Sequence, residues 1–272
     1  MITVAHKVNF INKYPTDVNI YTEKAVNVFI DEFPHEPIPP NSYRIIMLEE
    51  PLRGQLFDLV QEFRDNYDYV LTYEDEILTT NPKAILFRCA DTWVHGYVPD
   101  EKVFDVSTVI GGKVDLRMKG YALRHEIWEK KQFFTIPHKF YLSSNYKLPT
   151  ADYNNNLVLG KSKTPVFDSM FHIAIENRSM KHYFSEKILD CFQTYTVPIY
   201  CGCENIEDYF NIDGIIVAKT ADEIINICNS LTEDDYHSRM DAMKENYELA
   251  QSRVNYLDQL KDKLIEVIKL LK

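Results

Sequence analysis

Short apolar runs alternate with amphipathic stretches along most of the chain. "AVNVFIDEFP" (25–34) holds apolar runs bounded by proline, which suits a strand. "YRIIMLEEP" (43–51) is sharper. Ile45 to Leu48 are all apolar, and the run stops at Glu49, Glu50 and Pro51, as a buried parallel strand does. "LFDLVQEFRDNY" places apolar residues at 56, 57, 59, 60 and 63, near helical period. "DYVLTYEDEIL" predicts a strand over Tyr69–Thr72 and then a polar turn, and "PKAILFRC" predicts another strand. "FDVSTVIGGK" (104–113) reads as a strand that ends on Gly111 and Gly112, with the helical run "GYALRHEIWEKKQFF" after it. "FYLSSNYKLPTADYNNN" (140–156) is polar and turn-rich, and reads as a loop.

The second half repeats the alternation. "FHIAIEN" and "VPIYCG" read as strands on either side of a helix in "YFSEKILDCFQTY". "IEDYFN" is a short helix or turn, "GIIVA" a strand and "TADEIINICNSL" a helix, with Thr220 and Glu223 placed for a capping box. From Glu233 onward the pattern is helical. Leu257, Leu260, Leu264, Ile265, Ile268 and Leu271 form a stripe at helical spacing. That stripe must be covered, either by the rest of the chain or, since the leucines also sit near heptad spacing, by a second copy. Strands and helices alternating at these lengths predict an α/β fold with mainly parallel sheets. The expected division is 1–105, 106–232 and a helical tail over 233–272 that packs back on the core.

Composition narrows the function classes. The chain has 272 residues, 45% hydrophobic and 26% charged, the balance of a globular protein, and no solenoid repeat. Its formal net charge of −11 disfavours a nucleic-acid partner. No apolar run is long enough to span a membrane, and the N-terminus has no uninterrupted apolar segment of the secretory kind. Five cysteines without zinc spacing read as buried thiols, and a reducing cytoplasmic setting is expected.

Candidate chemistry collects at strand ends. In open α/β sheets, ligands sit beyond the carboxyl ends of the strands. Glu176 and Asn177 end one such strand. Ser185 can cap the next helix, which puts Glu186 and Lys187 in its first turn. A lysine there opposes the helix dipole, whereas an anion would gain from both lysine and dipole. An exposed surface lysine is the plain alternative. Gly111 and Gly112, between strand and helix, allow close backbone approach to a ligand. Asp190 and the acids over 204–208 read as solvated faces, and His172 as a core-facing strand residue.

The run "FHIAIEN…YFSEKILDCFQTYTVPIYCGCENIEDYF" (171–210) resembles the signature of the α-1,3/4-fucosyltransferases, glycosyltransferase family 10. "RIIMLEEP", "DYVLTYEDEIL" and "GYALRHEIWEKK" stand upstream in an order and spacing similar to short bacterial and viral members, so the resemblance covers most of residues 43–217. It implies a GT-B architecture, two Rossmann-like domains facing a cleft. The N-terminal domain would hold a glycan acceptor and the C-terminal domain a nucleotide-sugar donor, typically GDP-fucose, with inverting transfer. It implies that Arg124 and Lys187 hold the diphosphate, that Glu186 bonds the ribose, and that Glu176 and Asn177 line the donor pocket. It places the catalytic base at Glu50 or its neighbour Glu49. Cationic side chains replace a metal in such enzymes, so no metal and no separate cofactor are expected. The chain departs from the Golgi members in showing neither anchor helix nor stem, and its signature reads "ENRSMKHYFSEK", with serine before Glu186. These departures leave the sugar open: xylose, galactose or rhamnose on UDP or GDP would suit the same scaffold. Monomer and homodimer both remain open.

Overall fold

The computed structural model describes residues 4–7, 9–11, 19–49, 55–88, 90–113, 118–143 and 157–271. The chain forms two compact units, Met1–Cys89 together with Asn255–Lys272, and Ala90–Val254. The division therefore falls ahead of 105/106. A boundary there would cut one continuous strand, Val103–Ile110.

In the first unit, β1 (Val4–Lys7) pairs antiparallel with β3 (Asn19–Thr22). A five-stranded parallel sheet contains β2 (Asn9–Ile11), β4 (Ala25–Ile30), β5 (Ser42–Met47), β6 (Tyr69–Thr72) and β7 (Ala84–Leu86), in that order. β5 is buried along its whole length, because both faces of the sheet are covered. Period-two alternation divides its side chains. Ile46 packs with Val60, Tyr67, Val70 and Ile77, from α1 (Gln55–Glu62), α2 (Asp75–Thr80) and the strand beside it. Ile45 and Met47 point the other way, into a core closed by Leu260, Leu264, Val267 and Ile268. The segment expected as a polar turn after Thr72 is the helix α2.

In the second unit, six parallel strands are β8 (Val103–Ile110), β9 (His138–Leu142), β10 (Leu157–Val158), β11 (Ser169–Ile175), β12 (Val197–Cys201) and β13 (Ile216–Val217). Their spatial order is β10-β9-β8-β11-β12-β13, the doubly wound order in which the chain reverses direction between β8 and β11. Helix α3 (Lys119–Glu129) lies between β8 and β9 in the chain, and α4 (Glu186–Gln193) between β11 and β12. Strand β9 runs into the segment expected to be a loop, ending at Leu142. Pro137 precedes it, and its five residues are too few to show a period against the polar run that follows. Residues 144–156 of that expected loop lie outside the described residues.

Helix α5 (Ala221–Ser230) opens on the expected capping box, Thr220 and Glu223 each bonding the other's backbone. The tail is three helices rather than one: α6 (Glu233–His237), α7 (Met240–Gln251) and α8 (Tyr256–Leu270). The break comes where Asn255 leaves helical geometry to cap α8, its side chain accepting from the Asp258 N–H. The first two helices belong to the second unit and α8 to the first. Leu260, Leu264 and Ile268 of the apolar stripe are thus buried against the chain's own sheet, with Ile265 and Leu271 partly buried and Leu257 exposed. Among the described residues, no helix is long and apolar enough to cross a membrane.

Candidate active site

The first turn of α4 is built on Glu176. This carboxylate follows β11 and is almost fully buried. It accepts from the Ser185 N–H at 2.8 Å and the Ser185 hydroxyl at 2.6 Å. Ser185 in turn caps α4 by accepting from the Lys187 N–H. A carboxylate at a helix N-terminus is favoured by the dipole. The Lys187 ammonium, which the dipole alone would disfavour, folds back to the Ser185 hydroxyl at 2.9 Å, to Glu186 at 3.2 Å and to Glu176 at 3.5 Å. Burial would lower its pKa, and the two carboxylates outweigh burial and raise it. Glu186 is held down at about 2: burial pushes it up, and Lys187 and Lys163 overcome that. Lys163 stands 3.5 Å from Glu186.

The same strand end fixes Arg124. Its Nε donates to the Ile175 carbonyl at 3.1 Å and an Nη to the Asn177 Oδ1 at 2.6 Å, and its guanidinium lies over the Tyr121 ring. Burial lowers its pKa, with Glu176 opposing. The Gly120 N–H donates to the Asn177 carbonyl. A Cβ on Gly120 would stand 1.7 Å from the Glu176 carbonyl oxygen, so only glycine lets α3 approach this turn. Gly202 is constrained from its own side, where a Cβ would meet the Tyr200 hydroxyl at 2.4 Å and the Glu176 Cγ at 2.5 Å.

A cavity of about 370 Å³ opens at the carboxyl ends of β8, β9, β10 and β11, the place where a doubly wound sheet binds ligands. Its apolar wall includes Val109, Leu159, Phe167 and Ile173. Among the described residues, its charged lining is four cations, Arg124, Lys161, Lys163 and Lys187, against one carboxyl, Asp190. Trp93 also lines it, with the Lys163 ammonium 3.5 Å above its ring.

Of the residues expected at the site, Arg124, Lys187 and Gly111 line the cavity. Glu176 and Asn177 do not: they are braces, holding Ser185, Lys187 and Arg124 from behind the wall. Glu186 is likewise absent from the lining and spent on the two lysines. Gly112 is exposed and does not line the cavity, and Arg124 sits in the second turn of α3 rather than early in it. Glu49 belongs to the first unit. Its carboxylate accepts from the Tyr256 hydroxyl, and its backbone is held by the Asp31 carboxylate and the Tyr73 hydroxyl. Glu50 lies outside the described residues.

The sequence missed Lys163 and Trp93, and it misread Asp190. Far from facing solvent, Asp190 is 1% exposed, because nearly every residue of α4 from Ile188 onward is buried. Its Oδ1 accepts from the Thr92 hydroxyl at 2.7 Å and the Trp93 N–H at 2.9 Å. Burial pushes its pKa up to about 7, against those two bonds and Lys163. His172 is buried as expected, but it also lines the cavity. Burial takes its pKa down to about 3, so the ring is neutral. The Ser107 hydroxyl lies 2.7 Å from the Val166 carbonyl and 2.8 Å from His172 Nδ1; in the tautomer where its hydrogen goes to Val166, Nδ1 carries the ring proton and Nε2 is an acceptor.

Asp190 yields a stability prediction. Its folded pKa near 7 exceeds an unfolded value of about 3.9, so between those pH values the folded state keeps a proton that the unfolded state has lost. Stability from this group is complete below the unfolded pKa and is lost as pH rises through 7. Asp190→Asn should raise stability at pH 8 by on the order of 1–4 kcal/mol and leave it little changed at pH 4. Urea unfolding of both proteins at the two pH values checks this.

No family model matches the sequence, and no curated protein matches it either. Solved structures do match. An α1,3-fucosyltransferase with GDP-fucose superposes at a TM-score of 0.51 with 16% identity, over 84% of this chain and 70% of that one. The OtsA apo structure gives 0.59 with 8% identity, over 91% and 73%. The pneumococcal O-GlcNAc transferase GtfA with UDP and GlcNAc gives 0.50 with 10% identity, over 93% and 61%. The fold is that of the GT-B glycosyltransferases. At these identities the likeness speaks for the fold alone. Among the described residues, no group of three His, Cys, Asp or Glu could hold a metal ion.

Proposed function

We propose that this chain is an inverting glycosyltransferase that takes a sugar from a nucleotide-sugar, with GDP-fucose the first candidate, and attaches it to a hydroxyl of a glycan. The observation that carries the reading is the lining of the cavity at the strand reversal. Among the described residues four cations face one carboxyl there, in a chain whose net charge is −11. Such a lining suits a diphosphate, on which negative charge grows as the sugar leaves. Lys187 and Arg124 are the cations tied into the frame, and Lys163 adds a third from the facing turn. The second unit would hold the donor and the first the acceptor. A carboxylate following β5, Glu50 or Glu49, would take the proton of the acceptor hydroxyl. A UDP-linked donor is the competing reading, since the fold neighbours include a UDP complex.

Thermal shift with GDP, UDP, GDP-fucose and UDP-sugars tests the donor, because a ligand at 100 times its Kd adds about 2.7 kcal/mol. Transfer to a glycan panel tests the reaction. Binding without transfer or hydrolysis would leave only a binding module. Activity should survive EDTA, since cationic side chains carry the leaving-group charge. Loss on chelation with recovery on Mn²⁺ or Mg²⁺ would contradict that. Glu50→Gln should keep donor binding and lower turnover by about 10²–10⁴. The same loss in Glu49→Gln alone would move the base to its neighbour.

A further inference from the structure

Two hydrogen-bond acceptors in the cavity have no part in holding a diphosphate. The first is Asp190. Its Oδ1 is taken by Thr92 and Trp93, and its Oδ2 has no hydrogen-bond partner among the described residues, although the side chain is almost fully buried and lines the cavity. The second is the neutral His172, whose Nε2 accepts in the tautomer that lets Ser107 donate to Val166, and which likewise has no described partner. Neither atom is among the buried polar atoms that lack a partner, so both open to the cavity, where a ligand hydroxyl can donate to them. Glu186 differs on every point: it is ion-paired with Lys163 and Lys187 and does not line the cavity.

Asp190 stands three residues, just under one turn, beyond Lys187 on α4. Three residues advance about 4.5 Å along the axis. A diphosphate on Lys187 therefore presents the group next to it in the ligand, not the phosphate, to Asp190. The ring attached to either end of a nucleotide-sugar diphosphate carries hydroxyls, and a hydroxyl donating to a carboxylate is among the stronger hydrogen bonds. Phe167 and the half-covered Trp93 ring supply apolar wall beside it.

We propose that Asp190, not Glu186, is the carboxylate that accepts a hydrogen bond from a ring hydroxyl of the bound nucleotide-sugar, with His172 as a second acceptor. This rests on the nucleotide-sugar reading above. The hydroxyl belongs either to the ribose or to the transferred sugar, and the two sources are separable.

Calorimetric titration at pH 8, above the Asp190 pKa near 7, with pyrophosphate, GDP, 2′,3′-dideoxy-GDP and GDP-fucose tests the proposal, in the unaltered chain and in Asp190→Asn and Glu186→Gln, with UDP and UDP-glucose run alongside. Asp190→Asn should weaken the hydroxyl-bearing ligand about tenfold or more and leave pyrophosphate within about twofold. Glu186→Gln should move pyrophosphate and nucleotide together, since it alters the lysines. If the ribose is read, dideoxy-GDP binds the unaltered chain as weakly as GDP binds Asp190→Asn. If the transferred sugar is read, GDP is unaffected and GDP-fucose, or UDP-glucose, loses affinity. Pyrophosphate falling as far as the nucleotide in Asp190→Asn overturns the proposal, as does an Asp190→Asn chain that binds every ligand normally. If neither pyrophosphate nor any nucleotide binds the unaltered chain, the donor-site reading fails and the proposal fails with it. A melting curve for each variant shows that it is folded.

Discussion

A chain ending at Val254 is expected to lose the structure of its first unit and to keep that of residues 90–254. The truncation removes α8, and with it Leu260, Leu264, Val267 and Ile268, all buried in one core with Val26, Val28, Ile45 and Met47. Burying four such side chains contributes roughly 1.5–3 kcal/mol each, about 6–12 kcal/mol together. A small domain has a total stability of only about 5–15 kcal/mol, so the loss is of the size of the whole. The second unit loses no residue of its own core, which ends at Ala250 with Val254 packed on it. Hydrogen exchange read by peptide would show protection lost over residues 19–88 and retained over 90–254. Retained protection over β5 and β6 would mean that α8 covers the sheet without stabilising it. A quieter companion, Leu264→Ala, should cost about 2–5 kcal/mol and report on the same core.

Lys187→Ala should have the largest effect at the candidate site, and on two readouts at once. The ammonium is the shared partner of Glu176 and Glu186. Its removal leaves a buried carboxylate with its two Ser185 hydrogen bonds and the electrostatic attraction of Arg124. Breaking a buried pair from one side costs about 3–5 kcal/mol. On the proposed function it also removes a charge-assisted contact to the diphosphate, lowering transfer efficiency by roughly 10–1000-fold. Lys187→Arg separates the two. The charge is kept, so stability should largely return, while the planar fork cannot follow the ammonium's fold back to Ser185 and only part of the activity should return. Normal kinetics in Lys187→Ala would remove the diphosphate from this helix end.

Much of this site was legible because its parts are neighbours in the chain. A mainly apolar strand, a Glu-Asn ending, a serine cap and a Glu-Lys first turn appear in order between Phe171 and Lys187, and local geometry alone assembles them. The resemblance to the fucosyltransferase signature rests on the same stretch. The rest was not legible for a topological reason. Trp93, Lys163 and Asp190 come from a loop, a turn and a helix far apart in sequence, and the doubly wound strand order gathers them. Asp190 was misread because a helical acid is taken as a solvent mark, and α4 has almost no solvent face. Helix α8 was legible as a stripe, but the sheet that covers it was set by β5, whose alternate residues serve two separate cores.

The two glycines against Glu176 bear on how this chain can change over time. Any side chain at Gly120 collides with backbone, and any at Gly202 collides with Tyr200 and Glu176. Neither position can drift by small steps, and together they fix where the strand end, and therefore Arg124 and Lys187, must stand. Trp93 and Lys161 are exposed side chains on the rim of the same cavity and carry no such restriction. Substitution is thus sterically restricted behind the cavity and unrestricted at its mouth.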